Sequence, residues 1–294
     1  MKYAVTYDPS FRYLDEVDEI LFLWDNVKED ISIITKKVKP EQKVIINLDL
    51  LDLDEENAIA YLNKLKQEYS NILVQIDSTQ NSFRQLLIDN NIDFMFTNFC
   101  VNYGAVYGSI EKGAKELYIV EDLGFDLKEL QEVRNKYKVK LRVFPDIGQT
   151  DAAFKNVVPA LAKFWIRPED TELYEQYVDV FEFYNHSDRL SVVYEIYKKR
   201  QWKGEVGQLI NDCNLKIDNT TIAPYFGQHR ISCKRKCLID KGYCNMCFQI
   251  QNLADQFAAA GLTIHQPAFR QKLTEEQKEE LLKKLKNFSE IVEE

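Results

Sequence analysis

The sequence predicts an α/β protein, a TIM-like (β/α)8 barrel with a C-terminal helical extension that carries a four-cysteine metal loop. Three observations predict it. Short apolar, β-branched or aromatic runs alternate with amphipathic stretches from the first residues to about Tyr184. No glycine-rich phosphate loop of the dinucleotide or P-loop kind follows any of these runs. Four cysteines crowd into residues 233–247, after the alternation has ended.

The candidate strands, in order, are Lys2–Tyr7, Glu19–Leu23, Lys43–Leu48, Asn71–Ile76, Asp93–Thr97, Leu117–Val120, Lys140–Phe144, Lys163–Ile166 and Val178–Phe183. Each is the length of a buried strand and too short for a helix. Between them, Ser82–Asp89 carries Phe83, Leu86 and Leu87, and Asp126–Lys136 carries Leu127, Leu130 and Val133 at helical spacing. Near-continuous apolar strands alternating with helices require a parallel sheet covered on both faces. A doubly wound sheet satisfies that as well as a closed barrel. Nine runs favour the barrel, with one run an extra or not a strand at all.

Beyond residue 185 the pattern changes, so the domains are expected at 1–185 for the barrel and 186–294 for the extension packed on it. Asp188–Arg200 reads as a helix with Leu190, Val193, Ile196 and Tyr197 on one face. An Asn-, Lys- and Cys-rich stretch follows to Cys247, then a helix near Ile250–Ala260. From Thr274, a capping pair with Gln277 opens an amphipathic helix whose stripe is Leu281, Leu285, Phe288 and Ile291 or Val292, read as docking on the barrel exterior.

Composition narrows the function classes. The 294 residues are 45% hydrophobic with only 10 Gly and 7 Pro, which suits a packed core and excludes a disordered chain. With 38 basic against 47 acidic residues the net charge is −9, a poor surface for wrapping duplex DNA. No apolar run approaches a membrane span, and the first residues enter a strand at once, so a cytoplasmic protein is expected.

Cys233, Cys237, Cys244 and Cys247 supply four soft thiolates from one short loop. In a reducing compartment that cluster points to one metal centre, either Zn²⁺ or a 4Fe–4S cluster; spacing alone does not choose. Basic residues surround it: Arg230, Lys234 and Arg235 nearby, and Lys198, Lys199 and Arg200 upstream. They either offset the charge of a thiolate site or grip phosphates, including those of RNA.

In a barrel, chemistry sits where strands end. The polar residues there include Asp8, Asp49, Asp77, Asn98, Glu121, Asp146, Arg167 and Glu182. Carboxylates at several strand ends suit general acid–base work, and Arg167 suits a bidentate grip on a substrate carboxylate. Asp77, Asn98, Glu121, Arg167 and Glu182 form the candidate catalytic set. The competing role for any one of them is capping the helix that follows. Cys100 has no paired His and reads as a buried thiol.

Residues 97–133, TNFCVNYGAVYGSIEKGAKELYIVEDLGFDLKELQEV, resemble the collagenase-like (U-32) peptidases, with Asn102, Gly113, Glu121 and Leu127–Glu129 where that family's pattern would place them. The next strand, LRVFPDIG, is similar to the family's following strand. The resemblance implies a barrel and, for several members, a four-cysteine iron–sulfur cluster and hydroxylation of RNA bases or a quinone precursor. The family's peptidase motif, a His-Gly pair and a Cys after that strand, is absent here, which argues against peptide cleavage. The expectation is a metal-containing barrel enzyme that modifies an RNA base or small aromatic substrate. The alternative is a non-catalytic barrel whose zinc-stapled loop is a docking surface.

Overall fold

The computed structural model describes residues 1–49, 53–119, 127–145, 165–183, 189–205, 209, 214–215, 219–220 and 264–265. The chain divides into two compact units, Met1–Pro145 with Thr171–Lys199, and Asp146–Asp170 with Arg200–Glu294. The helix that the sequence places at the head of the extension thus belongs to the first unit.

Eight parallel strands close into a barrel in the first unit, in chain order: β1 (Lys2–Thr6), β2 (Glu19–Leu23), β3 (Lys43–Asn47), β4 (Ile72–Ile76), β5 (Phe94–Phe96), β6 (Glu116–Tyr118), β7 (Lys140–Val143) and β8 (Val180–Phe183). β8 pairs back onto β1, with Ala4 opposite Glu182, so no edge is left unpaired. Eight of the nine candidate runs are these strands. The ninth, Lys163–Ile166, is the extra one: β7 pairs directly with β8, and Trp165 and Ile166 lie outside any strand.

The helices are α1 (Trp24–Val27), α2 (Ser32–Thr35), α3 (Glu55–Glu68), α4 (Asn81–Asp89), α5 (Tyr103–Glu111), α6 (Leu127–Lys136), α7 (Thr171–Tyr174) and α8 (Leu190–Lys199). Local chemistry sets their ends. The Asp54 side chain accepts from Asn57 N–H at 3.1 Å and starts α3, and Ala58, Leu62 and Leu65 then fall on one buried stripe. Losing such a cap costs about 1 kcal/mol, and each buried Leu contributes roughly 1.5–3 kcal/mol. Asn102 caps α5 in the same way, accepting from Ala105 N–H at 3.0 Å. Gly113, at φ 94°, ends that turn in a conformation that favours glycine.

Side chains alternate across a strand, so one parity of each strand fills the barrel. Leu21, Ile45, Leu73, Met95 and Tyr118 meet there as one buried cluster, with Phe144 packed against it. The same parity also points five charged residues inward: Glu19, Lys43, Glu116, Arg142 and Glu182, all buried. The barrel interior is thus part hydrophobic and part ionic.

In the second unit, Asn214–Leu215 pairs antiparallel with Ile264–His265. The four cysteines, Arg230, Lys234 and Arg235, the Ile250–Ala260 helix and the helix from Thr274 lie outside the described residues. No helix among the described residues is long and apolar enough to cross a membrane.

Candidate functional site

The interior charges form one network. Arg142 is its centre and is fully buried. Its Nη1 donates to Glu19 Oε2 at 2.5 Å and to Glu116 Oε2 at 2.8 Å, while Nε and Nη2 donate to Glu182 Oε2 at 3.1 and 2.7 Å. The Lys43 ammonium bonds to Glu116 and stands 3.8 Å from Glu19. Burial pushes the Glu116 carboxyl up, but Arg142 and Lys43 outweigh it and hold it at about 2. Desolvation, followed by the pull of Glu182, drives the Tyr118 phenol well above its ordinary value, so it stays a hydrogen-bond donor.

From Glu182 a chain of hydrogen bonds climbs toward the C-terminal ends of the strands. Tyr118 OH donates to both Glu182 oxygens at 2.9 Å. Gln75 Nε2 donates to that hydroxyl, and Asn47 Nδ2 donates to Gln75 Oε1 at 3.0 Å. Every donor points down the chain toward the carboxylate, so each bond polarises the next. Asn47 Oδ1 in turn accepts from Asp49 N–H at 3.0 Å, and Asp49 Oδ2 accepts from Thr97 Oγ1 at 2.8 Å. The result is a fixed, exposed carboxylate at the mouth.

At the same end, two further rings pack on Tyr118. Tyr118 and Phe144 are stacked, 5.1 Å apart at 9°, and Phe99 meets both edge-on at 5.9 and 5.8 Å. Phe99 and Leu23, both at the C-terminal side of their strands, are 43% and 44% exposed, unusual for large apolar side chains next to a barrel axis. The buried Thr6 hydroxyl, at the end of β1, has no hydrogen-bond partner.

The sequence-derived candidates fall in different places. Glu182 lies within the barrel as the anchor of the polar chain, 1% exposed, rather than on the rim. Asp77 and Asn98 are neighbours at the rim, and both are engaged in turns. Asp77 accepts from the hydroxyl and N–H of Thr79, which lower its pKa, and Asn98 Oδ1 accepts from Ser78 N–H at 3.0 Å. Arg167 ends no barrel strand. In the second unit its fork is taken by Asp170, Nε and Nη2 each donating at 2.8 Å, which leaves only a buried Nη1 without a partner. Lys198 and Lys199 end α8, a helix that runs back toward the strand starts, and are paired with Glu16 and Glu195. Arg200 follows them at φ 54°. Glu121 lies outside the described residues. Burial pushes the Cys100 thiol up, as suits a packed side chain. Asn47, Gln75, Thr97, Tyr118, Phe99 and Phe144 went unread in the sequence. Their signal was parity: Asn47 and Gln75 are polar residues at inward positions of otherwise apolar strands.

These features define the class: a closed parallel barrel with a polar, partly aromatic C-terminal mouth. No family model matches the chain, and no curated protein matches it. Among solved structures it is similar to a U32 peptidase, at 13% identity over 64% of this chain and 94% of that one, with a TM-score of 0.38. It is also similar to N-acetylneuraminate lyase from Fusobacterium nucleatum, at 12% identity over 97% and 98% of the two chains, with a TM-score of 0.41. An enolase-superfamily member from Agrobacterium tumefaciens matches at 10% identity over 63% of this chain and 50% of that one, with a TM-score of 0.42. The barrel of this chain stands on its own strand order and register, independent of these likenesses.

Proposed function

We propose that the protein is a barrel enzyme that modifies a small heteroaromatic substrate at the C-terminal mouth. One observation carries the reading: a one-directional hydrogen-bond chain from Asn47 down to the buried Glu182 holds the backbone of Asp49, at the same end of the barrel as the exposed Phe99 ring. The ring of the substrate rests against Phe99 and Phe144, where flat apolar area is available. Asp49, held by Thr97 and the Asn47 amide, moves a proton to or from a ring nitrogen or exocyclic group. Glu182, Tyr118, Gln75 and Asn47 are positioning residues that keep the mouth in one geometry. We further propose that Cys233, Cys237, Cys244 and Cys247 hold one metal centre, Zn²⁺ or a 4Fe–4S cluster. An RNA base is the larger form of the same substrate. The small molecule is preferred because Lys198 and Lys199, offered by the sequence as a phosphate grip, are neutralised by carboxylates.

The test is turnover of free purines, pyrimidines and phenols, compared with the same bases within an RNA loop. Asp49→Asn is expected to lower kcat at least a hundred-fold, with an unchanged melting temperature, and Phe99→Ala to raise KM. Turnover indifferent to Asp49→Asn, or no substrate in either form, would sink the proposal. Turnover of the loop alone would replace the small molecule by RNA.

A further inference from the structure

The opposite end of the barrel carries a feature that the reading above does not use. A cavity of about 540 Å³ opens among the starts of β3 to β8, with Lys43, Leu73 and Glu116 at its floor. That size falls within the range of small-molecule sites, roughly 300–1,000 Å³, whereas the N-terminal face of a barrel ordinarily serves stability.

Its charge runs against that of the whole chain. Five cations line it (Lys43, Lys115, Arg134, Lys138 and Lys140) against three carboxylates, Asp93, Glu116 and Asp179. That is an excess of two positive charges in a protein of net −9. The pairing within the cavity decides which cations are available. Arg134 is locked to Asp179 by two bonds, at 2.7 and 2.9 Å. Lys43 and Lys140 share Glu116, with Lys140 at 3.3 Å and half exposed. Among the described residues, Lys115 and Lys138 have no carboxylate within ion-pairing distance, and both are exposed on the cavity wall. Three lysines with charge to spare on one wall, two of them without a carboxylate partner among the described residues, give that wall a local positive potential that attracts an anion.

We infer that this cavity binds a small phosphorylated molecule carrying hydroxyl groups. Ammoniums on flexible stems are point charges that surround a compact oxyanion. The one guanidinium present is already engaged, so the flat, bidentate mode that suits a carboxylate is not on offer. The phosphate sits between Lys115, Lys138 and Lys140. Asp93 and the floor carboxylate Glu116 accept from hydroxyl groups, and Tyr137 closes one side.

The experiment is calorimetric titration of the full-length protein with inorganic pyrophosphate, the probe, at low and at moderate salt. The wild type is expected to bind, and the Lys115→Ala/Lys138→Ala variant to bind at least ten-fold more weakly. Lys64→Ala, on the outside of α3, controls for general charge and is expected to bind as the wild type does. The substituted lysines are exposed, and matched melting curves establish that every variant is folded. No binding by the wild type overturns the inference, as does an equal loss in the Lys64→Ala control. Loss confined to the double variant supports it, and ribose 5-phosphate then binding more tightly than inorganic phosphate supports the hydroxyl contacts. Equal affinity for those two overturns that part. Failure here leaves the proposal for the C-terminal mouth intact, since the two sites share no residue.

Discussion

Replacing Arg142 by Met examines the ionic interior directly. The guanidinium makes four hydrogen bonds to three carboxylates, and none of these groups is more than 2% exposed. Methionine fills much of the volume but leaves Glu19 and Glu116 with Lys43, and Glu116 also with the half-exposed Lys140, while Glu182 loses the guanidinium that pairs it. Breaking a buried pair by removing one partner costs about 3–5 kcal/mol, because the partner's charge stays desolvated. Three partners sharing the loss place this variant at the upper end of that range. For a chain of this size each kcal/mol lowers Tm by roughly 2–4 °C, so a fall of roughly 10–20 °C is expected by circular dichroism. The deficit should shrink as pH falls from 7 toward 5, because Glu116, no longer held down by Arg142, takes up a proton and the repulsion eases. Adding Glu182→Gln should restore part of the loss. A single variant melting within about 2 °C of wild type would refute the reasoning. It would mean that the interior carboxylates are already protonated or hydrated.

Two further outcomes follow from the same structure, and a third from the cysteine spacing in the sequence. Glu116 sits at about 2 against an ordinary 4.5, so its contribution is fully present above pH 4.5 and is lost as pH falls from there toward 2. That contribution is on the order of 3 kcal/mol, and urea titrations at stepped pH should show it in wild type but not in Glu116→Gln. Cys100 is 2% exposed with its thiol pushed up by burial, so an iodoacetamide pulse at pH 8 should leave it unlabelled until the protein unfolds, as read by peptide mass spectrometry. Labelling of the native protein within minutes would contradict that. Anaerobically purified protein should contain either about one zinc or about four irons per chain, the second with broad absorption near ~400 nm. Cys244→Ser/Cys247→Ser should lose the metal, and a wild type with neither metal would remove the proposed centre.

The strands were legible in the sequence because a parallel barrel strand is buried on both faces, and a short β-branched run such as KVIIN or ILVQI has few other uses. The one error of this kind, Lys163–Ile166, has the composition of a strand, and composition cannot show that β7 has already found β8. Helix ends were legible to within a residue or two where a cap or an apolar stripe marked them, as at Asn81–Asp89 and Leu127–Lys136.

The site was much less legible. Glu19, Lys43 and Glu116 open their strands, and in sequence a charged residue before an apolar run reads as its boundary. By the rule of strand ends, Glu182 and Asp77 both read as rim groups in the sequence. The rule cannot tell an inward position from a turn, so one proved to be interior and the other an engaged turn residue.

What the sequence determined by itself is therefore the alternation: the eight strands among nine short apolar runs, amphipathic stretches between them, and that both faces of the sheet must be covered. Hydrophobic periodicity is a local property, and it survives reading one residue at a time. What only the tertiary structure decided is which polar residues meet. Glu19 and Arg142 are 123 positions apart, and Gln75 and Tyr118 are 43 apart. Closure of the barrel and its register bring each pair within bonding distance, because parity along every strand is counted against the neighbour across the sheet rather than against the chain before it.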